Sequence, residues 1–353
     1  MSEATSSGQT TSGFHVPPIV VSVAAPVVGV IIGLLIGAGL IMIAGADPIQ
    51  AYKTMFQGAF GGKRQITETL LKTGPLLLIG LGLAVAFRAR VWNIGGEGQY
   101  YMGALFGALV ALYLPHWPRP MLLVTMLAAG IVGGALWGLI PALLKIKVGM
   151  NEIISTLMLN YIAILFVTYL ARGPLQERGG YLPMSAQIDA AARLPLISGT
   201  RIHVGLFLVA LLVPVIYALL WHTPLGFRLR AVGSRASVAR YAGYNVEMAI
   251  LLALVLSGAL AGLAGIIELS TLHYRLKAGI SGGYGFSGVL VALLGRMNPF
   301  GVAIAALFFA ALIVGAETMH VVAGLPPELA SAIQAIVVLS VLAVDTVARK
   351  REK

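Results

Sequence analysis

Long apolar stretches, separated by short polar or glycine-rich joints, dominate the chain. Ten can be marked, at 19–46, 70–87, 97–114, 121–146, 150–171, 202–221, 248–269, 284–295, 299–319 and 328–347. Most approach the ~20 apolar residues that a helix needs to cross a bilayer. The predicted fold is therefore all-α: a polytopic membrane protein of about ten transmembrane helices in a single domain, 19–347, with both termini on one side. The run at 284–295 is short for a full crossing. Residues 1–18 are rich in Ser, Thr and Gly, lack Lys and Arg, and read as a flexible cytoplasmic tail. The run that follows them is too long for a signal peptide.

Composition narrows the class. The 353 residues are 58% hydrophobic and only 10% charged, with a mean hydropathy of +0.91, against roughly 25% charged in ordinary soluble domains. The absence of cysteine excludes thiol chemistry and Cys-ligated metals. The formal net charge of +11 comes from Lys and Arg spread over many short loops, with no basic stripe interleaved with aromatics, so no nucleic-acid partner is expected. Loop basicity in such a chain reports orientation. The tail 348–353, with Arg349-Lys350-Arg351 directly after the last run, places the termini in the cytoplasm. The 222–247 loop then lies inside and the 172–201 loop outside.

Gly29, Gly33 and Gly37 recur every four residues in the first run, a face that lets another helix approach closely. Two glycine clusters, Ile94-Gly95-Gly96-Glu97-Gly98 and Ile280-Ser281-Gly282-Gly283-Tyr284-Gly285, each open an apolar helix, after the second and the seventh run. With five runs per half they belong to copies of opposite orientation. This suggests two inverted five-helix halves, a common plan in transporters.

Two segments carry candidate chemistry. Residues 226–243 read as two short helices. Gly233 and Ser234 break the first, Ser234 caps the second, and Gly243 ends it in a left-handed conformation. Gly226, Arg228, Arg230, Ala231, Gly233, Arg235, Ser237, Ala239, Arg240, Tyr241 and Gly243 are the residues expected to dock into a cleft on a partner protein. The second segment is a pair of polar helix starts, at 92–99 and 149–160. Asn93, Glu97, Gln99, Asn151, Glu152 and Asn160 place amide and acidic groups at membrane depth, where they are costly and usually face a pathway or a helix contact. An acid in a first helical turn is also favoured by the helix dipole alone. The chain contains no phosphate-binding P-loop, HExxH arrangement or Gly-x-Ser-x-Gly elbow, so no catalytic residue or cofactor is assigned to it.

The runs Val91-Trp92-Asn93-Ile94-Gly95-Gly96-Glu97-Gly98-Gln99 and Asn151-Glu152-Ile153-Ile154-Ser155-Thr156-Leu157-Met158-Leu159-Asn160-Tyr161, with residues 226–243, resemble the permease subunits of bacterial ABC importers. The larger group is the ribose and branched-chain amino acid type, and the first two motifs resemble its nucleoside and simple-sugar subgroup. The resemblance spans about residues 20–345. It implies a non-enzymatic permease in the bacterial plasma membrane, surrounded by lipid. Further implied partners are ATP-binding subunits, often two domains fused in one chain, a second and different permease, and an extracytoplasmic substrate-binding protein. It also implies a nucleoside substrate, with a sugar or a riboflavin-like metabolite as the alternative. An ion-driven secondary transporter would share the inverted repeat and the buried acids; the 222–247 loop and ATP-dependent uptake discriminate.

Overall fold

The computed structural model describes residues 18–197 and 200–351; the expected tail 1–18 falls almost wholly outside them. The helices are α1 (Pro18–Ile43), α2 (Pro48–Phe60), α3 (Lys63–Arg88), α4 (Gly96–Tyr113), α5 (Arg119–Leu143), α6 (Glu152–Arg172), α7 (Gly205–His222), α8 (Pro224–Ser234), α9 (Ala236–Tyr241), α10 (Val246–Glu268), α11 (Tyr284–Leu294), α12 (Pro299–Ala323) and α13 (Pro327–Arg351). Every one of the ten apolar runs falls on a helix. Among the described residues, six helices are long and apolar enough to cross a membrane alone. The pair Val27–Ile43 and Pro48–Phe60, bent by 115°, brings the number to seven. α13 continues to Arg351, into the expected basic tail, whose last two residues lie outside the described ones.

Glycine decides the packing at the centre. α4, α5 and α10 cross where Gly103, Gly130, Gly134, Gly258 and Gly262 face one another. A Cβ on Gly134 would overlap the carbonyl oxygen of Gly258, and one on Gly103 would overlap the backbone of Gly262. Lipid tails are as apolar as leucine, so helices gain little by hiding apolar surface from lipid. Close backbone approach and dispersion hold them together instead. The stripe on α1 works in the same way at the edge: Gly29 and Gly33 lie against the backbone of Val341 and Val337 on α13.

Two chain segments enter the bundle without crossing it. α3 ends at Arg88, Arg90 takes a left-handed conformation, and the chain turns inward before α4 begins. α10 continues as a π-helical turn to His273, Tyr274 is left-handed, and the chain again turns inward before α11. The depth of the first entry follows from Asn93, which bonds Ser257. Ser257 is 11 residues past Val246, roughly 16 Å along the helix, near the middle of the helical run Val246–His273. α4 leaves this point toward the face where Arg119 donates to the carbonyl of Arg193. α11 leaves it the opposite way, toward the turn at Arg296 and Met297 whose carbonyls accept from Arg88. The two glycine clusters thus open two short helices that run in opposite senses from a shared centre.

The described residues of the 173–204 segment form a packed cap and not a free loop. Ser185 and Ile188 donate backbone hydrogen bonds to Leu276 and Tyr274, both at 2.9 Å. Glu177 accepts from Arg275 at 2.5 and 3.0 Å, and those bonds hold its carboxyl below the usual carboxylate value. Arg193 lies over the Tyr274 ring. The cap closes the second inward turn from above.

These contacts generate a paired prediction on one helix. Gly33→Leu forces α1 off α13 and lowers monodisperse yield after detergent extraction, overpacking costing about 1–3 kcal/mol. Gly39→Leu, where a Cβ meets nothing within 4 Å, leaves the yield at the unmodified level. Equal yields would show that α1 and α13 do not pack through this stripe.

Candidate functional site

The two polar helix starts form one structure. Asn93 is fully buried. Its Oδ1 accepts the Gly95 N–H at 2.8 Å, and its Nδ2 donates to Gln99 Oε1 and Ser257 Oγ, both at 2.9 Å. Asn160, on α6, reaches the same stretch from the other side. Its Oδ1 accepts the Gly98 N–H and its Nδ2 donates to the Ile94 carbonyl, both at 2.8 Å. The Thr156 hydroxyl accepts from Ile94 N–H at 3.2 Å. The spacing of Thr156 and Asn160 along one helical face lets both side chains serve the irregular backbone at 94–98. The N–H groups there precede or open α4 and have no acceptor within that helix.

Glu97 faces the other way. Its Oε2 accepts the Gly285 N–H at 2.8 Å, and its Oε1 accepts the Ser281 hydroxyl. A carboxylate here satisfies an otherwise unpaired donor in the first turn of α11 and complements the positive end of that helix. Gly285 has no room for a side chain, since a Cβ would overlap the backbone of Glu97. α4 and α11 therefore meet start to start, joined through one acid.

Not all six polar residues belong to this junction. Asn93, Glu97, Gln99 and Asn160 do, and each is nearly inaccessible; their polar atoms bond one another, Ser257, Ser281 and the backbone at 94–98 and 285. Asn151 is exposed and caps α6, accepting from Ile153 N–H at 2.8 Å. Glu152 is ion-paired with Lys145. Ser257 and Ser281 complete the junction but were absent from the sequence-derived set. Ser281 stands inside the second glycine cluster, and Ser257 sits in an apolar helix with nothing local to mark it.

The 222–247 segment folds into α8 and α9, with boundaries that differ from expectation in two ways. Ser234 does not cap α9. It is the last residue of α8, and the break falls at Arg235, whose backbone is extended (φ −152°) and whose side chain caps nothing. The cap comes from Thr223 instead, which accepts from Gly226 N–H at 3.1 Å at the start of α8. Gly243 does end the unit in a left-handed conformation (φ +83°). Gly233 is helical, so glycine is needed there for space: a Cβ would overlap the carbonyl oxygen of Arg88.

Those contacts sort the expected docking residues. Gly226, Gly233 and Ala239 are buried within the chain, and Arg230 and Ala231 are half-buried. Ala239 therefore faces the protein and offers nothing to a partner. Arg228, Arg235, Ser237, Arg240, Tyr241 and Gly243 are exposed, together with the apolar side chains of Phe227 and Val238. Beneath this surface two guanidinium groups lie over the Trp221 ring, Arg88 at 5.0 Å and Arg230 at 5.9 Å from its centroid. Arg88 also donates to the Met297 carbonyl at 3.2 Å. The α8–α9 unit is thereby seated on the end of α3 and, through Arg88, on the turn between α11 and α12.

The family model described as the permease component of the branched-chain amino acid transport system matches residues 65–342. The chain is 37% identical to the glucose ABC transporter permease TsgB13 of Haloferax volcanii, over 92% of this chain and 88% of that protein. It is 34% identical to the guanosine ABC transporter permease NupP of Bacillus subtilis, over 90% and 92%. To the nucleoside ABC transporter permease NupB of Lactococcus lactis it is 33% identical, over 90% and 89%. A bundle of apolar helices broken at its centre, an exposed two-helix unit on one face and these matches lead to one assignment: the chain belongs to the branched-chain amino acid transport permease family, as a multi-pass, non-hydrolysing ABC transporter permease that works with separate ATP-binding subunits and a substrate-binding protein.

Proposed function

We propose that this permease imports nucleosides, that it pairs with a second, different permease, and that α8–α9 is its docking element for an ATP-binding subunit, either a single ATPase domain or two fused in one chain. The termini and α8–α9 are then cytoplasmic and the 173–204 cap is external. The observation that carries the docking role is the α8–α9 unit itself. It is closed at its start by Thr223 and at its end by Gly243, it exposes Phe227, Val238 and Tyr241 beside three Arg, and it is wedged against Arg88 at Gly233. Exposed aromatic and aliphatic groups rimmed by Arg are what a protein partner uses as anchors.

The geometry supplies a route for force. A push on α9 reaches α8, then the end of α3 at the Gly233–Arg88 contact, then the 296–297 turn through the Arg88 guanidinium. α11 ends at that turn, and its start is tied to α4 by Glu97. Closing or opening of a pathway beside α4 and α11 is thereby linked to the cytoplasmic face by short, stiff contacts. Asn93, Glu97, Gln99 and Asn160 hold the pathway wall in shape. Nucleoside as substrate is supported by the similarity to permeases named for guanosine and nucleosides. A hexose is the second reading, favoured by the similarity to the glucose permease.

The substrate is tested in vesicles carrying the whole transporter with its binding protein. ATP-dependent uptake of guanosine, not displaced by excess glucose, is expected; glucose uptake without guanosine uptake would replace the first reading by the second. For docking, Ser237→Cys in this cysteine-free chain forms a crosslink to the ATP-binding subunit, and Gly233→Ala lifts α8 from α3. In that variant the ATP-binding subunit still copurifies, while uptake falls about tenfold or more, the equivalent of ~1.4 kcal/mol or more. Full uptake by Gly233→Ala would remove α8 from the force route. Glu97→Gln keeps the shape and loses a charged acceptor, a loss of about 1.5–3 kcal/mol. Lower thermal stability together with slower uptake is expected, and an unchanged melting curve would show that the α4–α11 tie carries no load.

A further inference from the structure

A cavity on the face opposite α8–α9 takes no part in the junction or in the docking unit. Its volume is about 530 Å³, inside the ~300–1,000 Å³ range of small-molecule sites. Arg64, Gln65, Glu68, Glu317, Thr318 and Val321 line it, from the start of α3 and the last turns of α12. This is a concentration of charge in a chain that is only 10% charged.

The placement of that charge is unusual. Lys72 lies nine residues beyond the first residue of α3, roughly 13 Å along the helix, and from there it pairs with Glu317 on α12. A charge held inside an apolar span is costly and by default marks a solute or ion path. The lysine end of the pair is largely covered, while the Glu317 side chain is 62% exposed. Lys72 uses only Oε1 of Glu317, and Arg201 uses only Oε1 of Glu68. Among the described residues, Oε2 of each acid has no hydrogen-bond partner.

Each acid is matched by a base, and the remaining cation, Arg64, is exposed to solvent that screens it, so the cavity has little preference for a net ionic charge. What it offers is direction: donors at Arg64 and Gln65, acceptors at Glu68, Glu317 and Thr318, and an apolar strip at Val321. Such a lining suits a neutral ring solute that carries both donors and acceptors on its edge, a chemistry that nucleosides and hexoses share. We propose that this cavity is the solute-binding vestibule of the permease. Glu317 and Glu68 accept hydrogen bonds from solute hydroxyl or amine groups, and Lys72 is a positioning residue that holds Glu317 toward the cavity. The assignment rests on the importer reading above and on the orientation that places this face outside.

Val321, which is 81% exposed, becomes the single reporter cysteine in the reconstituted transporter. Its rate of reaction with a membrane-impermeant maleimide is measured alone, with guanosine and with glucose, and ATP-driven uptake of both solutes is measured on the same preparation with binding protein. The solute that is imported slows labelling in a saturable way. Glu317→Gln abolishes that protection and raises the KM for uptake about tenfold, the loss of roughly one charge-assisted hydrogen bond, with the maximal rate nearly unchanged. Lys72→Met weakens protection in the same direction. Protection by glucose alone keeps the vestibule and overturns the nucleoside reading. Uptake without any protection overturns the vestibule and leaves the importer reading intact, as does a cysteine at 321 that never reacts because a second permease covers it. A transporter that imports neither solute and shows no protection overturns both.

Discussion

A backbone polar group inside a bilayer has no water to turn to, so any break in a helix at that depth must be satisfied by the protein itself. The rest of this structure depends on how that constraint is met at 93–98 and at 281–285. Asn93, Thr156 and Asn160 take up the N–H and C=O groups that the first break leaves unpaired, and Glu97 takes up one at the second. Without those side chains the N–H and C=O groups of the inward turns would be left unpaired at membrane depth. The membrane thus explains why four polar residues with almost no exposure are retained in so apolar a chain.

Around this centre the packing depends on shape more than on hydrophobicity. The α4–α5–α10 crossing brings backbones together over glycines, and α3, α4 and α10 are largely buried in the bundle. α5, α6 and α7 present most of their surface outward, with large apolar side chains suited to lipid. The polar junction and the glycine crossing share elements: Gly98 and Gln99 on α4 bond Asn160 and Asn93, while Gly103, one turn further, lies against Gly262. Rigidity at one therefore supports the other.

The two faces of the bundle are built differently. On one, the α8–α9 unit is locked to α3 by the absence of a side chain at Gly233 and by the Arg88–Trp221–Arg230 stack, leaving Phe227, Val238 and Tyr241 outward. On the other, the 173–204 cap is tied to 274–277 by backbone bonds and by the Glu177–Arg275 pair. In the proposed importer, one face receives mechanical work and the other receives solute, and the broken helices α4 and α11 stand between them.

The sequence by itself determined the class of the protein, the places of its ten principal helices, the small face of α1 and the two motifs at the centre. These are written in local composition and spacing, and the bilayer leaves an apolar run few alternatives to a helix. Gly243 was legible for the same reason, since a left-handed helix end is a local requirement. Tertiary structure alone decided that Glu152 pairs with Lys145 and Asn151 caps α6 while Asn93, Glu97, Gln99 and Asn160 meet at the junction, that Ser257 and Ser281 join them, and that Ala239 faces inward. It also put the break between α8 and α9 at Arg235 and gave Gly233 its role. A glycine needed for backbone angle and a glycine needed for space look identical in a sequence. The partner of a buried amide lies 62 residues away for Gly98 and Asn160 and 164 residues away for Asn93 and Ser257, and only the packed helices bring such pairs within hydrogen-bond reach.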